Sequence, residues 1–489
     1  MNIITTCYRV VEPMIHSRKN FILAFIIGTL FSCSPETELN SDLSSQDLSA
    51  KVHSSGIKHL DNNTDILINV DKTLPISPYL FGVNNDWRQI SYDRYDSFSN
   101  SLQNINYTLV RFPGGWESEY YDWSENLTPN WNNAPAAPGA SIEKVKSTNP
   151  GAISIVVPTV NAMNLPQWSA EWYVAIQERK MEAKEAIELT GQDNIKTIEI
   201  GNEWWLQFGG GVSRFSKVRK YAHIAKRVSA YIRDTFPRAT FNIVINGDYT
   251  HPDEFKAIRY VFDATQELDL IDGLALHTYT GYNTETHNIK DLQKNISECI
   301  ANLGKSYLSL SEWAPSKAYN DNKVYAQGAN LVVEQTYEHA MAGADEAAFW
   351  PPTNNSIPGL GLFNYGLTQP MPTGQIFGDL AMDFQGEVLE VKDGSMRAAA
   401  ARNKDGVVVV YVTGMDQPAT TVTLQLGDVK IDRVISSELW EPGDINNPEK
   451  PLSMVKTENP AFINMGKRIS FNVNENSGFS IYKIKFSLK

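Results

Sequence analysis

The sequence predicts an α/β chain: a (β/α)8 TIM barrel with a C-terminal β-sandwich domain that also takes an N-terminal strand. Three observations predict it. Between residues 76 and 384, eight short apolar runs alternate with longer amphipathic segments, the pattern of βα units in a closed parallel sheet. From about Gln385 the helical patterns stop, and β-branched runs separated by turn residues take over to residue 489. Ahead of the first barrel strand, within residues 64–75, the run DILINVDK (Asp65 to Lys72) reads as a strand suited to pairing with that later β-rich region.

The elements follow in chain order. Arg18 and Lys19 lead into the apolar run FILAFIIGTLF (Phe21 to Phe31), too short for a comfortable membrane span but suited to an export signal. The LFSC that closes it resembles the lipobox of bacterial lipoproteins. That resemblance implies a signal peptide over residues 1–33, with Cys33 as the lipidated first residue of a mature protein anchored at the bacterial cell envelope. Residues 34–63 are polar and rich in Ser and Asp, as expected of a flexible tether. Past Cys33 only Cys299 remains, so no disulfide framework is expected and stability rests on the core.

The eight barrel strands are read as YLFGVN, TLVRFPGG, AISIVVPTVNA, IKTIEIGNE, TFNIVINGDY, IDGLALHTY, SYLSLSEWAP and EAAFWPPT. Between them lie helical patterns such as AEWYVAIQERKMEAKEAIELTG, with Gly191 as its C-cap, and FSKVRKYAHIAKRVSAYIRDTFP, stopped by Pro237. The sandwich is read from VVVVYVTG, TVTLQLGD, DRVISSELWEPG, RISFNVNE and GFSIYKIKFSL.

Composition narrows the chemistry. The net charge is −13 with Lys and Arg scattered, which argues against a nucleic-acid partner. The chain has no HExxH, no Cys/His cluster at metal spacing and no GxSxG, so no metal or cofactor is expected. The run LGKS resembles the end of a phosphate-binding loop, but Cys299 stands where that motif needs Gly.

Catalytic groups of a barrel sit at the C-terminal ends of its strands. The fourth predicted strand ends in Gly201-Asn202-Glu203, and the seventh carries Glu312 in SLSEWAP at the same level, across the mouth. Two facing carboxylates suit glycoside hydrolysis: one gives a proton to the leaving oxygen, the other attacks the anomeric carbon. Asn202 is placed to bond a sugar hydroxyl, Trp204 and Trp205 to exclude water, and Tyr279 to donate to Glu312.

Taken with RFPGG (Arg111 to Gly115), HTY (His277 to Tyr279) and SEW (Ser311 to Trp313), the GNE motif resembles clan A retaining glycoside hydrolases. The likeness is greatest to the α-L-arabinofuranosidase family 51, with families 39, 30 and 79 close behind. It implies Glu203 as acid/base and Glu312 as nucleophile, with Asn202, Arg111, His277, Tyr279, Trp204, Trp116 and Trp350 binding substrate. Ser311 departs from the Asp-Glu-Trp common in family 51, and an aromatic-rich loop runs from Trp116 to Pro150, so the departures bear on substrate. The expected partner is a plant or algal polysaccharide or its oligosaccharides, with the membrane reached only through the lipid anchor. An exo-acting arabinofuranosidase and a non-catalytic glycan-binding lipoprotein are the alternatives.

Overall fold

A computed structural model of the chain describes residues 63–86, 90, 92–123, 141–149, 151–206, 213–281, 287–316, 325–354, 358–392, 397–414, 420–444, 453–458, 462–473 and 479–489. The predicted signal peptide, Cys33 and the tether up to residue 62 lie outside the described residues, as does most of the loop that follows Trp116.

The chain enters through β1 (Asn63–Pro75) and then builds a closed parallel barrel. Its strands are β2 (Gly82–Asp86), β3 (Leu109–Gly114), β4 (Ala152–Val157), β5 (Ile195–Ile200), β6 (Asn242–Gly247), β7 (Gly273–Thr280), β8 (Tyr307–Pro315) and β9 (Glu346–Phe349). Each pairs with its neighbour, and β9 closes on β2. The intervening helices are α1 (Tyr95–Gln103), α2 (Ile142–Thr148), α3 (Val160–Asn164), α4 (Ala170–Thr190), α5 (Arg214–Thr235), α6 (Asp253–Asp263), α7 (Leu292–Leu303) and α8 (Ala326–Met341), with α9 (Pro372–Asp383) after β9. Local sequence sets their ends. Ser169 and Ser213 cap α4 and α5 through bonds to the amides of Trp172 and Ser216. Gly191 turns the chain out of α4 at φ +84°, a conformation that costs a residue with Cβ more than it costs Gly.

Every barrel strand buries both faces, so its residues are apolar on the helix side and selectively polar on the axis side. The axis side is layered. Ser154, Thr197, Ser309 and Glu346 form a hydroxyl-rich layer near the base. Asn84, Arg111, Glu199, Asn246, His277 and Ser311 form a charged layer nearer the mouth.

The second domain continues from α9 as β10 (Glu387–Lys392), β11 (Arg397–Arg402), β12 (Val407–Thr413), β13 (Thr420–Gln425), β14 (Ile431–Pro442), β15 (Met454–Glu458), β16 (Phe462–Asn464), β17 (Arg468–Val473) and β18 (Ile481–Leu488). With β1 they make one continuous ladder in the order β15-β14-β18-β12-β11-β10-β1-β13-β17-β16. The ladder folds over on itself. Phe471 of β17 stacks on Tyr482 of β18 at 3.7 Å between ring centroids, although five strands separate β17 from β18 in the ladder. The result is a sandwich whose core includes Ile66, Val410, Val422, Leu424 and Ile484.

β1 pairs into this sandwich as the sequence predicts and runs through its centre, antiparallel to β10 and parallel to β13, with a register shift between Asn69 and Thr73. The sandwich is bonded to the barrel helices: the buried Lys483 of β18 donates to Asp379 of α9, and Arg397 of β11 pairs with Glu334 of α8.

Candidate active site

Glu203 lies three residues beyond the end of β5. Gly201 turns the chain at φ +77°, where a Cβ would meet Thr159 Oγ1 at 2.8 Å, so both conformation and space require Gly. Glu203 itself is held at φ +45°, a left-handed backbone rare for a residue with Cβ. The surrounding bonds impose it. Glu203 N–H donates to Asn246 Oδ1 at 2.8 Å, and the buried Glu119 carboxylate accepts from the amides of Asn202, Thr159 and Val160. Burial pushes the Glu119 carboxyl upward, and those backbone donors work against it.

Glu312 reaches the same space by another device. The register between β7 and β8 shifts between Ala275 and His277, so Ala275 pairs with Ser309 but His277 pairs with Glu312. This bulge lets two consecutive residues face inward: Ser311 donates to Glu199, while Glu312 takes the guanidinium of Arg111. A carboxylate oxygen of Glu203 lies within 4.8 Å of one on Glu312, with His277 between them.

Arg111 organises the floor. Its Nε donates to Glu199 Oε2 at 2.7 Å and its Nη2 to Asn202 Oδ1 at 2.7 Å. Its Nη1 donates both to Asn84 Oδ1 at 2.9 Å and to Glu312 Oε1 at 2.8 Å. The other oxygen of Glu312 accepts from Tyr279 Oη at 2.6 Å. His277 sits beneath the pair, with Nδ1 3.0 Å from Glu203 Oε1 and 3.5 Å from Glu312 Oε2. On its far side Nε2 is 3.2 Å from Asn246 Nδ2 and 3.7 Å from Glu199 Oε1. Burial opposes a charge on this ring. The Glu312 carboxylate, with the nearby Glu199 and the bond to Glu203, outweighs burial and pushes His277 up to about 10.

Glu203, His277 and Glu312 have the spacing of a cation site. Their partners argue against one. Both oxygens of Glu312 already accept hydrogen bonds, and the guanidinium on Oε1 would repel a metal ion there.

The expected substrate contacts divide in three. Tyr279, Trp116 and Trp350 are half-buried, and Trp350 packs edge-on to Tyr279 at 6.0 Å. Asn202 is buried, yet its Nδ2 has no protein partner among the described residues, which leaves a donor free beside Glu203. Arg111 and His277, 1% and 4% exposed, hold the carboxylates of the site, and Trp204 is the correction. Trp204 is fully buried, stacked on Tyr221 at 5.1 Å, with its indole N–H on Asn246 O. The turn after Gly201 sends that ring behind the strand, into the helix layer.

Sequence reading missed Glu199, Asn246, Asn84 and Glu119. Only Glu199 left a local signal, as a charge at an inward position of an otherwise apolar strand.

No family model matches the sequence, and no curated protein matches it significantly. Solved structures do match by fold. A family 51 glycoside hydrolase, an arabinofuranosidase from Xanthomonas axonopodis pv. citri, shares 14% identity over 87% of this chain and 100% of its own, with TM-score 0.61. The catalytic domain of a family 30 xylanase C from Talaromyces cellulolyticus shares 11% identity over 86% of this chain and 100% of its own, with TM-score 0.54. A family 44 xyloglucanase from Paenibacillus polymyxa shares 12% identity over 87% of this chain and 100% of its own, with TM-score 0.54. At such identities the likeness is one of fold. The barrel with its appended sandwich is the fold that the motif resemblance implied.

Proposed function

We propose that the chain is a retaining glycoside hydrolase that cleaves a plant or algal polysaccharide, or its oligosaccharides, by double displacement. One observation carries this reading: two carboxyl groups face each other with oxygens within 4.8 Å, and their surroundings differ. Retaining pairs stand about 5–5.5 Å apart, whereas inverting pairs need about 6.5–9.5 Å to admit a water. Glu312 is 3% exposed and bonded on both oxygens, which suits a fixed nucleophile. Glu203 is open to solvent on one side and bonded only through Oε1 among the described residues, which suits a group that must exchange protons. The printed activities of the fold relatives, on arabinofuranosides, xylan and xyloglucan, lie in the same reaction class.

In the first step Glu312 attacks the anomeric carbon, the glycosidic C–O bond breaks, and Glu203 delivers its proton to the leaving oxygen. A covalent glycosyl-enzyme results. In the second step water attacks the same carbon, Glu203 takes its proton, and the Glu312 carboxylate is released. The buried Nδ2 of Asn202 has no partner among the described residues, and in this reading a sugar hydroxyl beside the reacting carbon would have to reach it. A lipid anchor at Cys33 would hold such an enzyme at the cell envelope, where polymeric substrate is met.

The test is a panel of plant and algal polysaccharides and aryl glycosides, with products sized by chromatography. Glu203→Gln is expected to lower turnover of unactivated substrates about 10²–10⁴-fold. Glu312→Gly with azide is expected to yield a glycosyl azide of inverted anomeric configuration. Wild-type rates in both variants would sink the assignment. Release of arabinose alone would favour the exo-acting arabinofuranosidase, and binding without turnover a glycan-binding protein.

A further inference from the structure

Glu199 is a third carboxylate, placed one residue beneath each member of the pair. Toward Glu312 the link is Arg111, which donates to Glu199 Oε2 at 2.7 Å and to Glu312 Oε1 at 2.8 Å. Toward Glu203 the link is Asn246, whose Nδ2 donates to Glu199 Oε1 at 2.6 Å while its Oδ1 accepts Glu203 N–H at 2.8 Å. Asn246 is thus held in one amide orientation from both ends. Ser311 adds a third bond at 3.1 Å, and His277 bridges the same gap, 3.7 Å from Glu199 and 3.0 Å from Glu203.

We infer that Glu199 is a positioning residue whose fixed negative charge, carried through Arg111 to Glu312 and through Asn246 and His277 to Glu203, sets the working pH of the pair. The argument rests on charge balance and on the reading of the site as a glycosidase. With Arg111 and His277 charged, Glu312 ionised and Glu203 protonated, the negative charge of Glu199 makes the cluster neutral. Without it a buried site would carry a net positive charge, which burial penalises. The other groups facing Glu199 are Tyr221 of α5 behind the strand and Glu346 below it. Neither is a cation, so Arg111 and His277 are its counter-charges among the described residues.

The test compares kcat/KM against pH on one activated aryl glycoside for the wild type, Glu199→Gln and Glu199→Asp. Loss of a negative charge makes both reacting carboxyls give up protons more readily. The Gln variant is therefore expected to move both limbs of the profile to lower pH, by about one unit. The Asp variant keeps the charge and is expected to keep both limbs, whatever its rate. A Gln variant that is slower with its limbs in place would show a structural role only and overturn the proposal. Carbon-13 spectra of glutamate carboxyls in the unmodified chain decide independently, even if the Gln variant does not fold. The Glu199 resonance, identified by its loss in Glu199→Asp, is expected to hold its ionised position from about pH 4 to 8. Titration inside that range overturns the proposal. A chain that turns over no glycoside rejects the glycosidase reading instead, and the spectra still decide the charge on Glu199.

Discussion

Glu199 and Glu346 are both 2% exposed and point into one barrel, yet they are opposite kinds of buried acid. Burial pushes each carboxyl up. At Glu199 the charge of Arg111, with the nearby His277 and the bond from Arg111, outweighs burial and holds the group at about 2. At Glu346 the partners are only hydroxyls: Ser154, Thr197 and Tyr307 on Oε2 and Ser309 on Oε1. Those bonds offset part of the burial cost, the charge on Glu199 adds to it, and the group stays raised. The barrel gathers its charged partners at the mouth, where Glu203 and Glu312 sit, and surrounds the acid at its base with hydroxyls. The two buried acids differ in their partners and not in their burial.

Breaking the charged half is expected to have the largest effect. Arg111→Met removes the guanidinium from Glu199 and Glu312 and leaves the Oδ1 atoms of Asn84 and Asn202 without it. Stranding buried charge in this way costs about 3–5 kcal/mol, read from urea unfolding at pH 7, and turnover is lost with it. The pH dependence follows from Glu199. A carboxyl held near 2 against an ordinary 4.5 contributes about 3 kcal/mol. That contribution is fully present above about pH 4.5 and is lost as pH falls toward 2. The penalty of Arg111→Met is therefore expected to shrink across that window. A constant penalty down to pH 2 would mean that Arg111 stabilises by packing and not by charge.

The sequence made the charged end only half legible. Glu203 and Glu312 stood out because each follows an apolar strand and precedes Trp. Glu199 lies on the inward face in phase with Thr197, but its partners Arg111 and Asn246 are 88 and 47 residues away, so only closure of the barrel reveals the cluster. Trp204 follows Glu203 in sequence but not in space, because the positive φ at Gly201 and Glu203 redirects the chain. In the sandwich, RAAAAR was not read as a strand because alanine has low strand propensity. The fold uses it because β11 is buried on both faces. Ala399 and Ala401 meet the barrel-side core, Ala398 and Ala400 the sandwich core, and small side chains allow both approaches.

Testing the neutral half sharpens the comparison with a smaller effect. Glu346→Gln keeps the shape and replaces an acid that burial pushes upward. At pH 4 the two chains are expected to agree within about 1 kcal/mol. Because the folded carboxyl is raised, wild-type stability from this group is fully present below the unfolded value and falls as pH rises through the folded one. The Gln variant, with nothing to titrate, is expected to gain on the wild type as pH rises from 4 to 8. A Gln variant that instead loses ground with rising pH would show Glu346 to be ionised, and the contrast with Glu199 would collapse.

The smallest effect is expected from Thr197→Val, which deletes one hydroxyl at nearly constant volume. Thr197 Oγ1 donates to Glu346 Oε2 at 2.9 Å and lies 2.9 Å from Tyr307 Oη. After its loss, Oε2 still accepts from Ser154 at 2.9 Å and from Tyr307 at 3.3 Å, so no buried oxygen is stranded. A neutral bond lost with its acceptor still satisfied costs about 1 kcal/mol or less. Bonds to an ionised carboxylate are about twice as strong. A loss above about 2 kcal/mol in urea unfolding at pH 7 would therefore place a charge on Glu346, and the base of the barrel would have to be redrawn as a second charged layer.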